Sequence, residues 1–241
     1  MTAIYERLGI GMASPKEKPL GVIVVCEAMG SFLFGLSGIY AATEAYLGNA
    51  DTLTVLSAFG FMLLLMVCLF AGGSGAHLNW MVSVAMTYLG EVSLRQLPVY
   101  ILAQSVGFAT AVYTLQLAYG PSGKEVLGAS APQLADGIGL LAGMFWEGLG
   151  GMVLMLGILA ALYVPRLEPI APLVIGLAVM AGIWVASRWT GGGINPPRAL
   201  AHFLAGGQWP SPDAALLVYV VGPVIGGLLG VVIFMQVARK S

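Results

Sequence analysis

Six stretches of about twenty mostly apolar residues decide what this chain can become: 20–41, 53–72, 97–118, 139–163, 170–188 and 214–238. A helix rises about 1.5 Å per residue, so each is long enough to cross the roughly 30 Å hydrocarbon core of a bilayer. Composition agrees. Of 241 residues 59% are hydrophobic and 9% charged, with a mean hydropathy of +0.91. A soluble domain carries about 25% charged residues, so most of this surface faces something other than water. The net charge of −1 excludes a nucleic-acid partner, which needs a basic stripe. The 34 glycines lie mostly inside apolar runs, where they suit close helix packing in lipid, Gly226-x-x-x-Gly230 among them.

Six spans put both termini on one side. Arg7, Lys16, Lys18, Arg95, Arg166, Arg239 and Lys240 fall on that side; Lys124, Arg188 and Arg198 fall opposite. The cationic excess makes that side cytoplasmic. Met1 to Leu20 has no apolar core of a signal peptide. Cys26 and Cys68 stand mid-run and read as buried, inert thiols. Trp146, Trp184, Trp189 and Trp209 lie near span ends and read as an interfacial belt.

Two further apolar segments, 78–89 and 196–206, are too short to span and read as re-entrant, interfacial or loop segments. They belong to a repeat. CEAMGSFLFGLSG (26–38) opens the first span with Glu27, and FWEGLGGMVLMLGILA (145–160) opens the fourth with Glu147. SGAHLNWMVSVAM (74–86) follows the second span as TGGGINPPRALAHF (190–203) follows the fifth. Glu27 precedes Asn79 by 52 residues, and Glu147 precedes Asn195 by 48. Three spans separate the copies, so the second is inverted in the membrane. Inverted repeats with broken helices at matching positions place a permeation site at the repeat interface.

This predicts 1–19 as a cytoplasmic segment, 20–119 as a first repeat with its re-entrant part at 74–89, and 120–138 as an extracellular connecting loop. A second repeat follows over 139–238, with its re-entrant part at 190–206, then a cytoplasmic tail, 239–241.

At membrane depth, irregular backbone survives where it lines a water-filled cavity or is buried in protein. In this reading Asn79 and Asn195 cap half-helices, and Pro196 takes a first-turn position where its missing N–H costs little. The two N-termini meet near the midplane and repel cations. Arg198, a charge inside the bilayer, marks a functional site. Glu27 and Glu147 read either as a proton relay or as braces accepting hydrogen bonds from loop N–H groups. Their symmetric placement favours braces. His202 reads as a surface or interhelical residue, and His77 as packing or as part of the carbonyl wall.

Taken in order, E-A-x-G-S-F, S-G-A-H-L-N, Y-I-L-A-Q-S-V-G, P-L-V-I-G-L-A-V, G-G-G-I-N-P-x-R and V-Y-V-V-G-P-V-I-G-G resemble the major intrinsic proteins, the aquaporins and aquaglyceroporins. The resemblance covers essentially the whole chain. It implies an all-α integral membrane fold of six spanning helices plus two re-entrant half-helices. It also implies a homotetramer in the bilayer, each subunit with its own pore for water and small uncharged solutes, without cofactor or metal. A carbonyl ladder is implied at Gly75, Ala76 and His77 and at Gly192, Gly193 and Ile194. Counting from the loops places the family's narrow filter on Phe59, Ile183, Gly192 and Arg198. Water-selective members typically have His where Ile183 stands, and glycerol-passing members pair two aromatics with a glycine and the arginine. The expected aperture is therefore wider and less polar than in a strict water channel, open to glycerol, urea, ammonia or hydrogen peroxide. The plasma membrane is the expected location.

The family's Asn-Pro-Ala becomes Asn79-Trp80-Met81 and Asn195-Pro196-Pro197 here. Trp80 lacks proline's preset φ; it either packs outward or narrows the pore. The sequence shows no nucleotide loop, metal cluster or nucleophile with a base beside it, so an enzyme is not expected. Two rivals stand beside a passive channel: a coupled transporter using Glu27 and Glu147, and a structural or adhesive membrane protein blocked at Trp80.

Overall fold

A computed structural model of the chain describes residues 17–206 and 210–238. The six apolar runs form long helices: α1 (Leu20–Tyr46), α2 (Thr52–Phe70), α4 (Leu97–Ala118), α6 (Leu140–Tyr163), α7 (Ala171–Thr190) and a last span. The last span opens as a π-helical segment, Ala214–Val221, and continues as α9 (Gly222–Ala238). The two short segments form half-helices, α3 (Trp80–Tyr88) and α8 (Pro196–Gly206). Arg7, Lys16, Trp209 and the tail 239–241 lie outside the described residues.

Boundaries follow local chemistry. α1 runs beyond the expected 41 because its polar end is satisfied in place. Thr43 Oγ1 donates back to Ile39 O at 2.9 Å, and Glu44 accepts from Tyr119 OH at 2.6 Å and Asn49 Nδ2 at 2.9 Å. α2 is capped by Asp51, whose carboxylate accepts from Thr54 N at 2.8 Å, one of the four donors a helix start leaves free. The connection 120–138 contains a further helix, α5 (Gly123–Ala129), which packs on α8.

The repeat is visible in the packing: α1 lies on α4 as α6 lies on α9, and α2 and α7 join the halves. Without water to drive association, helices in lipid gain from close van der Waals approach. Where α6 crosses α9, Gly226 sits against the Gly148 backbone, and a side chain on either would push the helices apart. Gly230 likewise lies against Met152 O. Outward faces carry large apolar side chains, with Leu102, Leu117, Leu141, Phe61 and Trp184 all more than half exposed, as surfaces meeting lipid should. Trp146 stacks on Trp189 with ring centroids 5.0 Å apart, and Arg188 lies over Trp189.

Cys26 is buried as expected, but Cys68 is not. Its face of α2 borders a cavity rather than a neighbouring helix, so the thiol is exposed.

Candidate functional site

Two glutamates organise the centre of the protein. Glu27, on α1, accepts from Ser74 Oγ (2.5 Å), His77 N (3.0 Å), Leu78 N (2.8 Å) and Gln104 Nε2 (2.7 Å). Glu147, on α6, accepts from Thr190 Oγ1 (2.5 Å), Gly193 N (2.7 Å) and Ile194 N. Both side chains are fully buried. A buried carboxylate is tolerable when its lone pairs are taken by donors, and four of these seven donors are otherwise orphaned N–H groups of the loops.

Residues 74–79 and 190–195 share one further pattern. Tyr100 OH donates to Ser74 O at 2.5 Å, and Tyr219 OH donates to Thr190 O at 2.9 Å. Ser74, Thr190, Tyr100, Tyr219 and Gln104 were not singled out as site residues from sequence. The signal was present: Ser and Thr stand at the same offset before each Asn, and a Val-Tyr pair begins the last helix of each repeat.

The loops are held in sparsely populated backbone. Ala76, Leu78 and Ile194 have φ of 49°, 48° and 29°, each costing roughly 1–2 kcal/mol outside glycine. The glutamate and tyrosine bonds offset that strain. Gly192 has φ 64°, and a Cβ there would meet Ile183 O at 2.9 Å, so a side chain is excluded on two grounds.

The half-helices meet through a reciprocal pair of bonds. Asn79 Nδ2 donates to Ile194 O at 3.0 Å, and Asn195 Nδ2 donates to Leu78 O at 2.8 Å. Each carboxamide thus ties its own loop to the other. Capping, however, is one-sided. Asn79 Oδ1 accepts from Met81 N at 2.9 Å, whereas Asn195 Oδ1 is buried without a partner. The position matching Met81 is Pro197, which has no N–H to give. The expectation that the Asn195 side chain caps its half-helix is therefore wrong: Pro197 breaks no helical bond but removes the donor that the cap needs.

Trp80 points away from the centre. Its Nε1 donates to Ile101 O on α4 at 3.2 Å, and the half-helix begins at Trp80 without proline because Asn79 caps it. Met81 is buried against Gly227 of α9, where a side chain would collide with its sulfur. Neither side chain lines the central cavity.

That cavity holds about 730 Å³. Gly75, Ala76, His77, Gly192, Gly193 and Ile194 line it, as do Asn79 and Asn195. So do all four filter positions, Phe59, Ile183, Gly192 and Arg198. The Arg198 guanidinium lies 4.9 Å from the Phe59 ring centre, a cation–π contact. Its Nη1 donates to Gly192 O at 3.3 Å, and its Nε is unpartnered. Apolar walls come from Phe34, Leu63, Val82, Leu154, Ile158 and Val179.

His77 packs and lines at once: its ring stacks on Tyr100 at 4.7 Å, with Nδ1 3.2 Å from Ser83 Oγ. His202 is fully buried and interhelical, its Nε2 3.3 Å from Ser130 Oγ. Lys18, at one mouth of the cavity, is an ammonium whose pKa is lowered by burial, with Glu27 and Glu91 pulling the other way.

The geometry defines a multi-pass membrane protein built as an inverted repeat around a mostly apolar central cavity. A model of the major intrinsic protein family matches residues 17–234, and the chain belongs to that family, one of channels rather than enzymes. Aquaporin TIP4-4 of Zea mays is 30% identical over 225 residues, covering 88% of this chain and 84% of that protein. The glycerol uptake facilitator protein of Bacillus subtilis is 32% identical over 194 residues, 75% of this chain and 70% of its own. The aquaglyceroporin from Plasmodium falciparum superposes with a TM-score of 0.77 over 92% of this chain and 100% of its own, at 21% identity, and so shares the fold.

Proposed function

We propose that the protein is a passive channel for water and small neutral solutes such as glycerol, urea, ammonia or hydrogen peroxide, closed to ions and protons. The observation that carries this is the reciprocal Asn79–Ile194 and Asn195–Leu78 bonding at the cavity wall. Each carboxamide nitrogen has two hydrogens. One ties the loops together, and the other is left for a passing solute. Both half-helix N-termini add partial positive charge there, and Arg198 adds a full one, so cations are rejected at two depths.

Ile183 and Gly192 set the breadth of the solute range. An isoleucine offers no hydrogen bond and a glycine leaves space, so the filter's polarity comes from Arg198 and the loop carbonyls. The protein assembles as a homotetramer with one passage per subunit and with both termini cytoplasmic. Glu27 and Glu147 serve as loop braces: their oxygens are engaged by the loops, which counts against a proton relay. The Trp80 indole, bonded to α4, counts against a blocked pore. Stopped-flow swelling of proteoliposomes in glycerol and urea gradients tests the solute range; entry of water alone would contradict it.

A further inference from the structure

The cavity has a second cation that the filter does not use. Lys18 precedes α1, and its carbonyl accepts from the buried Gln96 side chain at 2.7 Å, which fixes the chain there. Its side chain enters the cavity beside the first loop. A methyl placed on Gly75 would lie 3.5 Å from Lys18 Nζ and 2.9 Å from His77 Nε2. No carboxylate of the described residues lies within ion-pairing distance of it. Glu91, which also lines this mouth, is held by Tyr163 OH at 2.9 Å. Glu27, the other nearby acid, is engaged by the loop and by Gln104 of α4.

We propose that Lys18 is a specificity-determining residue: an ammonium without an ion pair among the described residues, at the mouth opposite Arg198, acting as a further, independent barrier to small organic cations. The proposal rests on the channel reading above. Positive charge in a low-dielectric channel mouth lowers the local concentration of cations while leaving neutral solutes unaffected. Arg198 at one end and Lys18 at the other would reject ammonium-type ions entering from either side. Half-burial weakens the ammonium's hold on its proton, in keeping with a group placed in the passage rather than in bulk water.

The full chain in proteoliposomes tests this, with methylammonium as the probe and water flux measured in parallel. Arg198→Val should admit methylammonium slowly. Arg198→Val/Lys18→Gln should admit it roughly five- to tenfold faster, at a rate that falls little with salt because the site is confined. Arg198→Val/Lys18→Arg should match Arg198→Val. Equal methylammonium entry in all three, with water flux retained, overturns the role of Lys18. Absence of water flux in the native protein would instead overturn the channel reading. A second arm keeps Arg198: Lys18→Glu should make water flux sensitive to millimolar guanidinium, which leaves the native protein unaffected. If the Arg198 variants do not fold, this arm decides alone, and insensitivity of Lys18→Glu overturns the proposal.

Discussion

Pro197 leaves Asn195 Oδ1 without a partner, although the matching oxygen of Asn79 is bonded to Met81 N at 2.9 Å. The two asparagines are thus equal as donors and unequal as caps. A side-chain cap is worth about 1 kcal/mol, so the second half-helix is the less firmly seated of the two.

That inequality is measurable as a coupling. Pro197→Ala restores an N–H at the capping position. Asn195→Ala should then cost about 1 kcal/mol more in the Pro197→Ala background than in the native chain. Thermal unfolding of the four proteins in detergent closes the cycle; a coupling near zero would show that the orphaned oxygen is not waiting for a cap.

The glutamates should behave as braces rather than as proton carriers. Glu147→Ala removes the acceptor for Thr190 Oγ1, Gly193 N and Ile194 N. Each buried donor left unmet costs roughly 1–3 kcal/mol, so the midpoint of thermal unfolding should drop sharply. Solute flux in the folded fraction should not depend on an imposed proton gradient. A variant of native stability that had lost only gradient-driven flux would favour the transporter.

Trp80→Pro separates the two fates that sequence left open for the indole. Because Trp80 Nε1 is bonded to Ile101 O, its removal widens nothing. Water permeability should be unchanged while stability falls by about 1 kcal/mol, the net worth of one hydrogen bond. A large gain in permeability would place the indole in the passage.

Ile183→His adds a polar, hydrogen-bonding wall to the filter that Arg198 also lines. Glycerol entry should fall by about an order of magnitude, equivalent to ~1.4 kcal/mol of added barrier, with water flux retained. Equal loss of both would mean that Ile183 supports the filter rather than forming it.

How much of this was legible beforehand depends on range. The six spans and both half-helices could be read to within two residues except at the end of α1, which runs five residues beyond 41, because a bilayer demands length and apolarity that appear locally in sequence. Glu27 and Glu147 could be paired because their repeats align. Partners brought together by folding were not legible. Gln104 and Tyr100 are 77 and 26 residues from the groups they bind, and neither carries a local sign of its target. The same holds for Trp80 and Met81. The sequence shows that they replace small residues, but Ile101 O and Gly227, which accommodate them, lie on other helices. The Asn195 cap was misread for a different reason. A first-turn proline breaks none of the helix's own bonds, but the N–H that Pro197 lacks is the one the Asn195 side chain would have used.

The most direct test of the central claim is the osmotic shrinkage rate of proteoliposomes carrying the native chain, measured by stopped-flow beside empty vesicles, with no ion or proton gradient. A passive channel predicts shrinkage well above the empty-vesicle rate and unaltered by collapsing any residual gradient. Shrinkage no faster than that of empty vesicles would contradict it.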